Sequence, residues 1–156
     1  MDLVYNLARR MARHQADAED LVQETYMRAF EAWTAGRRPR RVEPWIATIC
    51  LNAGRSWLRR ASTRLEDPSD EVTDRGAPDD TEAEAVAGLQ RGEIARALWQ
   101  LPEEQRIAIA LMDLVGFTAA ETAKMIGAPR GTVLARVHRG RKRLALILQR
   151  EGVTWP

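Results

Sequence analysis

Thr132, Arg136, Arg139 and Arg143 recur at spacings of three and four residues, which places them on one face of a helix. An arginine carries five N–H donors in a planar fork. That fork fits the O6/N7 edge of guanine or the oxygens of a phosphate. Arg130, Arg141 and Lys142 add to the same cluster, the densest run of cations in the chain. Arg130 and Gly131 follow Pro129 at a predicted helix start, where unpaired backbone amides can hold a phosphate. The chemistry on offer is grip on a polyanion. Bond-breaking chemistry is poorly supplied. Cys50 is the single cysteine, so no disulfide forms within the chain, and His14 and His138 make no metal-ligand cluster with it. The N-terminal half offers no serine- or histidine-centred nucleophile arrangement. No metal or other cofactor is therefore expected.

The elements that must present the arginines are legible just upstream. Thr118 and Glu121 form a Thr-x-x-Glu capping box that opens a short helix. Ala123 is small where a second helix must cross. Gly127 falls where a tight turn needs a positive φ, and Val133 then faces back into the core. This order and spacing is the pattern of a helix-turn-helix. Val133, Val137, Leu144 and Leu148 of the second helix face inward, leaving the arginine stripe outside. A plain helical hairpin with a solvated basic face is the simpler alternative.

Helical spacing recurs along the chain, and strand patterns are essentially absent, so an all-α fold is expected. Leu3, Val4, Leu7, Ala8 and Met11 fit one short helix. Ala18, Leu21, Val22, Thr25, Tyr26, Ala29, Phe30 and Trp33 read as the apolar face of a second, with Asp17 as its N-cap. A break at Gly36 and Pro39 carries Arg37, Arg38, Arg40 and Arg41. Pro44 then sits in the first turn of a third helix, running to about Arg60, with Trp45, Ile49, Ala53 and Trp57 expected inside. Residues 64–81 hold Pro68, Gly76, Pro78 and many acids, which reads as a linker. Beyond it, one helix carries Val86, Leu89, Ile94, Ala97, Leu98 and Leu101. A second, from Pro102 to Val115, is expected to bury Ile107, Ala110, Leu111 and Leu114 before Gly116 ends it. The chain thus divides into small helical domains at 1–63 and 82–150, joined by the linker. The first starts abruptly in an apolar face, as though it lacks a segment or is completed by a partner.

Charged residues are 29% of the chain and apolar residues 45%, with a net charge of +2, but the pattern is basic–acidic–basic. That pattern suggests two polyanion surfaces around a solvated connector. No apolar run approaches the roughly 18 residues that cross a bilayer. The N-terminus lacks the pattern of a secretory leader, so a cytoplasmic location is expected.

Three segments together resemble one family. DAEDLVQETYMRAF (17–30) looks like sigma region 2.2, PWIATICLNAGRSWLRR (44–60) like regions 2.3 and 2.4, and 101–144, with LPEEQR, GTV and RVHRGRKRL, like region 4. Their order resembles that of extracytoplasmic-function (ECF) sigma factors of RNA polymerase. The resemblance implies that Asp17, Asp20, Gln23, Glu24 and Arg28 dock on the β′ clamp helices of core polymerase. It implies that Asn52 helps form a pocket for an unpaired −10 base, shaped by the loop 34–43, with Arg55, Trp57, Arg59 and Arg60 beside it. Trp45 and Trp57 have core packing as the competing role. Arg130, Gly131, Thr132, Arg136, Arg139 and Arg143 would read the −35 element. Promoter DNA, the polymerase β′ and β subunits, and an anti-sigma protein are the implied partners. The linker would thread the polymerase cleft. Leu51 and Ser56 depart from the family's Arg and Asp, and Leu134 and Ala135 from its Lys and Ser. The competing readings are an operator-binding regulator that needs no polymerase, a DNA-acting enzyme such as a recombinase, and a protein that sequesters a regulator. Cys50 reads as core filler.

Overall fold

The computed structural model describes residues 2–61 and 82–153. The linker expected at 64–81 lies outside the described residues. Those residues form α1 (Asp2–Met11), α2 (Gln15–Thr34), α3 (Val42–Ala61), α4 (Glu82–Trp99), α5 (Glu103–Ile109), α6 (Ala119–Ile126) and α7 (Arg130–Arg150). A π-helical turn, Ala110–Val115, continues α5, and Gly116 ends it at φ 94°. No strand occurs among the described residues, in keeping with the all-α expectation.

In the N-terminal module α1, α2 and α3 pack on one another. Val4, Leu7, Ala8 and Met11 of α1 are buried, as their spacing requires. On α2 only part of the expected face is inside. Ala18, Leu21, Thr25 and Ala29 are buried, whereas Tyr26, Phe30 and Trp33 are exposed, Phe30 at 69%. A stripe of small side chains seats α2 closely on its neighbours. The aromatics belong to the flank of that stripe. Asp17 is not the N-cap: the helix starts at Gln15 with His14 in the cap position, and Asp17 sits in the first turn. There its charge still favours the helix N-terminus.

The inward face of α3 is also turned from the expectation. Ala47, Cys50, Leu51, Ala53 and Gly54 are buried, while Trp45, Ile49 and Trp57 are only partly covered. The reason is close approach. A Cβ on Gly54 would stand 2.4 Å from Met11 Cε and 3.3 Å from Leu21 Cδ2, so a larger residue there would have to displace those side chain ends. Tryptophans could not fill that seam.

In the C-terminal module α7 packs on α4, α5 and α6. Gly140 plays the part of Gly54, since a Cβ there would lie 2.6 Å from Ile109 Cδ1 and 3.2 Å from Gln105 Cβ. Ile107, Ala110 and Leu111 are buried as expected, but Leu114 is exposed. The π-helical turn shifts the register by about one residue per turn relative to an α-helix, which carries Leu114 off the inward face.

The two modules share one apolar core. A single buried cluster runs from Leu7, Leu21 and Leu51 to Leu111, Phe117, Met125, Ile126 and Val133. The α1 helix touches α4, α5 and the π-helical turn, and α3 touches α6. The apolar face of α1 therefore meets the C-terminal module as well as α2 and α3. Arg106, 6% exposed, pins the contact. Its Nε donates to the Arg10 carbonyl at 2.9 Å, and its Nη1 to the Leu101 carbonyl at 3.2 Å. The guanidinium lies 4.0 Å from the centroid of Trp99.

Candidate nucleic-acid interface

The helix-turn-helix is built as its residue types require. Thr118 Oγ1 accepts from the Glu121 amide at 3.1 Å, and Glu121 Oε2 accepts from the Thr118 amide at 2.9 Å, so both halves of the capping box are made. Those bonds hold the Glu121 carboxyl below its ordinary range, the backbone bond from Thr118 being the largest cause. Gly127 ends α6 at φ 67°, in the left-handed region. Val133 and Val137 are buried and fix the rotation of α7.

That rotation decides which side chains face outward. Arg139 and Arg143 are exposed, and Thr132 and Arg136 are partly covered, along one side of α7. Arg130 and Gly131 are exposed at its start. Arg130, Gly131, Thr132, Arg139 and Arg143 are thus brought onto one outer side of α7, whereas Arg136 turns toward α5 and the cavity between the modules. Two cations of this helix already have acids. Arg136 pairs with Glu104 at 3.1 Å, and Arg141 grips Asp113 through two bonds of 2.9 and 2.5 Å. Asp113 raises the Arg141 pKa by hydrogen bonding. The Leu134 side chain is exposed and Ala135 partly covered beside this face.

The residues of the predicted −10 surface are spread round α3. Asn52, Arg59 and Arg60 are exposed, and Trp57 is partly covered. Arg59 Nε and Arg60 Nε reach back to the Arg55 and Ser56 carbonyls at 3.5 and 3.4 Å. Arg55 lies apart from these. It lines a cavity of about 350 Å³ between the modules, together with Glu104, Ile126, Gly127 and Arg136. Leu51, one turn earlier on that side, is fully buried. In the loop before α3, Arg38 stacks 4.0 Å over the Trp33 ring, and Arg41 bonds Glu121 of α6.

On α2, Asp20 and Gln23 are exposed, and Asp17, Glu24 and Arg28 partly so. Glu24 and Arg28 form an ion pair of 2.7 Å, so two members of the predicted docking stripe hold each other in place. The sequence reading missed the exposed row of Tyr26, Met27, Phe30 and Trp33 beside this stripe. Its signal was available: the buried arc was already filled by Ala18, Leu21, Thr25 and Ala29. A second apolar surface was also missed. Ile94, Leu98, Ile109, Leu114, Leu144 and Leu148 line a groove of about 850 Å³ between α4, α5 and α7. Cys50 is buried, and burial raises its thiol pKa from 9.0 to about 11. Among the described residues no group of acids, histidines or cysteines could hold a metal, and no helix is long and apolar enough to cross a membrane.

These features define a helix-turn-helix protein with a helical module packed against it. Comparison with known proteins makes the class specific. Residues 1–64 match the model of Sigma-70 region 2, and residues 91–144 match that of Sigma-70, region 4. The chain is 36% identical over 148 residues to the ECF RNA polymerase sigma factor SigM of Mycobacterium tuberculosis, spanning 93% of this chain and 71% of that protein. It is 33% identical to SigL of the same organism, covering 97% and 86% of the two chains. Among solved structures it resembles the sigma factor RpoE in complex with the anti-sigma factor NepR from Bartonella quintana. There the TM-score is 0.76 and the identity 27%, over 94% of this chain and 89% of that one. It also resembles CnrH in complex with the cytosolic domain of CnrY, with TM-score 0.64 and 26% identity over 94% and 80% of the two chains. The chain belongs to the ECF RNA polymerase sigma factors of the sigma-70 family.

Proposed function

We propose that this chain binds core RNA polymerase through α2 and guides it to promoters through α3 and α7. The observation that supports the reading is a pairing within one chain. A polar stripe stands exposed on α2, and an arginine face stands exposed on the second helix of a capped helix-turn-helix. A repressor acting alone has no use for the first of these.

In this reading Asp17, Asp20, Gln23, Glu24 and Arg28 meet the β′ clamp helices, and Tyr26 and Phe30 supply apolar area at the edge of the contact. The groove between α4, α5 and α7 takes an apolar segment of the β subunit. Thr132, Arg136, Arg139 and Arg143 enter the major groove of the −35 element. Arg130 and the Gly131 amide hold the adjoining phosphate. Asn52 faces an unpaired −10 base, with Trp57 beside it, and Arg55, Arg59 and Arg60 hold the strand backbone. Unstacking a base costs a few kcal/mol. Stacking on an aromatic ring and charge pairing offset that cost. The domain limits that go with these roles are 1–63 and 82–150, with the acidic connector between them. The chain works in the cytoplasm, performs no catalysis, needs no cofactor, and takes an anti-sigma partner as its structural neighbours do.

The test is transcription by purified bacterial core polymerase, with and without the chain, on fragmented genomic DNA from its source, with start sites sequenced. Discrete new start sites that share upstream elements are the expected result. Absence of both initiation and core binding would move the assignment to an operator-binding regulator.

A further inference from the structure

The rotation of α7 also decides what stands at the centre of its outward face. Val133 and Val137 are buried. With 3.6 residues per turn, Ala135 lies about 200° round the helix from each of them, on the far side. Gly131, Leu134, Ala135 and His138 are spaced by three and four residues and so form one patch over the first two turns. Gly131, Leu134 and His138 are exposed, Leu134 at 40%, and Ala135 is partly covered.

The arginines and lysine of α7 stand around this patch, not in it. Among the described residues Arg130, Arg139, Lys142 and Arg143 have no acid partner. They are available to the phosphates of a duplex, and phosphate contacts on the flanks of a helix seat its face in the groove between them. Arg136 is drawn away from the patch by Glu104 of α5 at 3.1 Å. The leading turns of the helix thus bring an exposed leucine and an alanine, where the family pattern carries lysine and serine.

The chemistry this patch can read is narrow. A leucine side chain neither donates nor accepts a hydrogen bond, so the N7, O6, N6 and N4 edges of the bases offer it nothing. The C5-methyl of thymine is the apolar group that base pairs show in the major groove. Burying that methyl against Leu134 removes apolar surface of both partners from water.

We propose that Leu134, with Ala135 beside it, is a specificity-determining residue that seats on a thymine C5-methyl in the −35 element and so selects a T·A pair there. The inference rests on the promoter-reading role of α7 proposed above. It separates this chain from a lysine-bearing pattern, in which the same position would offer a cation to a guanine edge or a phosphate.

The experiment uses holoenzyme assembled from core polymerase and the full chain, on a promoter taken from the start-site mapping. The −35 positions are first randomised and the bound fraction sequenced. Each thymine of the selected duplex is then replaced by deoxyuridine, which removes the methyl and nothing else. Uracil at one position, or at two adjacent ones, should weaken wild-type binding by about three- to five-fold, the share of one buried methyl. Leu134→Ala should bind the thymine duplex more weakly by a similar factor and no longer distinguish uracil from thymine. Leu134→Lys should lose the preference for T·A at that position in the selection. Wild-type binding that is indifferent to uracil at every −35 position overturns the inference, and this arm needs no protein variant to fold. Equal sensitivity to uracil in Leu134→Ala and wild type also overturns it. A bound fraction with no base preference at any −35 position would instead refute the promoter-reading role of α7 itself.

Discussion

Arg106→Ala removes a side chain that holds the modules together. Arg106 donates from a charged fork to the Arg10 and Leu101 carbonyls, at 2.9 and 3.2 Å, and stacks 4.0 Å from Trp99. Hydrogen bonds from a charged group contribute about 1.5–3 kcal/mol each. The ring contact adds about 1–2 kcal/mol when desolvated. Against this stands the cost of burying the guanidinium, which lowers its pKa, burial being the largest cause. That cost is several kcal/mol. The variant recovers it but leaves two carbonyls short of a donor and a void beside Trp99. The balance is a loss of about 3 kcal/mol, a large share of a stability of about 5–15 kcal/mol. Urea unfolding followed by circular dichroism measures it, with wild type and variant compared at fixed slope. Arg106→Lys should recover less than half, since one ammonium cannot span both carbonyls and stack on the ring. A loss below about 1 kcal/mol for the alanine variant would refute the claim that Arg106 anchors the contact. Full recovery by lysine would refute the part assigned to the fork geometry.

Asp20→Lys with Glu24→Lys should weaken binding to core polymerase while leaving the circular dichroism spectrum unchanged, because neither side chain is in the core. Arg136→Ala should lower −35 affinity by about 1–3 kcal/mol in a binding titration if the residue reads a base edge. Gly140→Val should destabilise by about 1–3 kcal/mol through overpacking against Ile109 and Gln105, read as a lower melting temperature. Native Cys50 should react with a disulfide reagent at pH 8 far more slowly than the unfolded chain, since only the thiolate attacks and the folded thiol keeps its proton to about pH 11. Because that pKa is raised from 9.0, the stability tied to the thiol is complete below about pH 9 and lost as pH rises through about 11.

Local chemistry made the recognition module legible. Thr118 and Glu121 can cap only a helix that starts between them, Gly127 accepts the left-handed turn, and Val133 and Val137 set which side of α7 faces the core. With those fixed, the outward arginines follow from helix geometry alone. The polar stripe on α2 was legible for the same reason, being a property of one helix. The inner faces of α2 and α3 were not. Hydrophobicity marks which residues can be buried, not which arc a neighbour will cover. Tyr26, Phe30 and Trp33 are as apolar as a core needs, yet Ala18, Thr25 and Ala29 take the contact because small residues let helices approach.

By itself, then, the sequence determined the helices, the turn between α6 and α7, and the face on which the arginines stand, since each depends on residues a few positions apart. The tertiary structure alone decided that the two modules share one core. It decided that Leu51 lies in that core, and that Glu104 and Glu121 pair with Arg136 and Arg41. Those pairings join residues 32 or more positions apart, and no local periodicity encodes which distant carboxylate a guanidinium will meet.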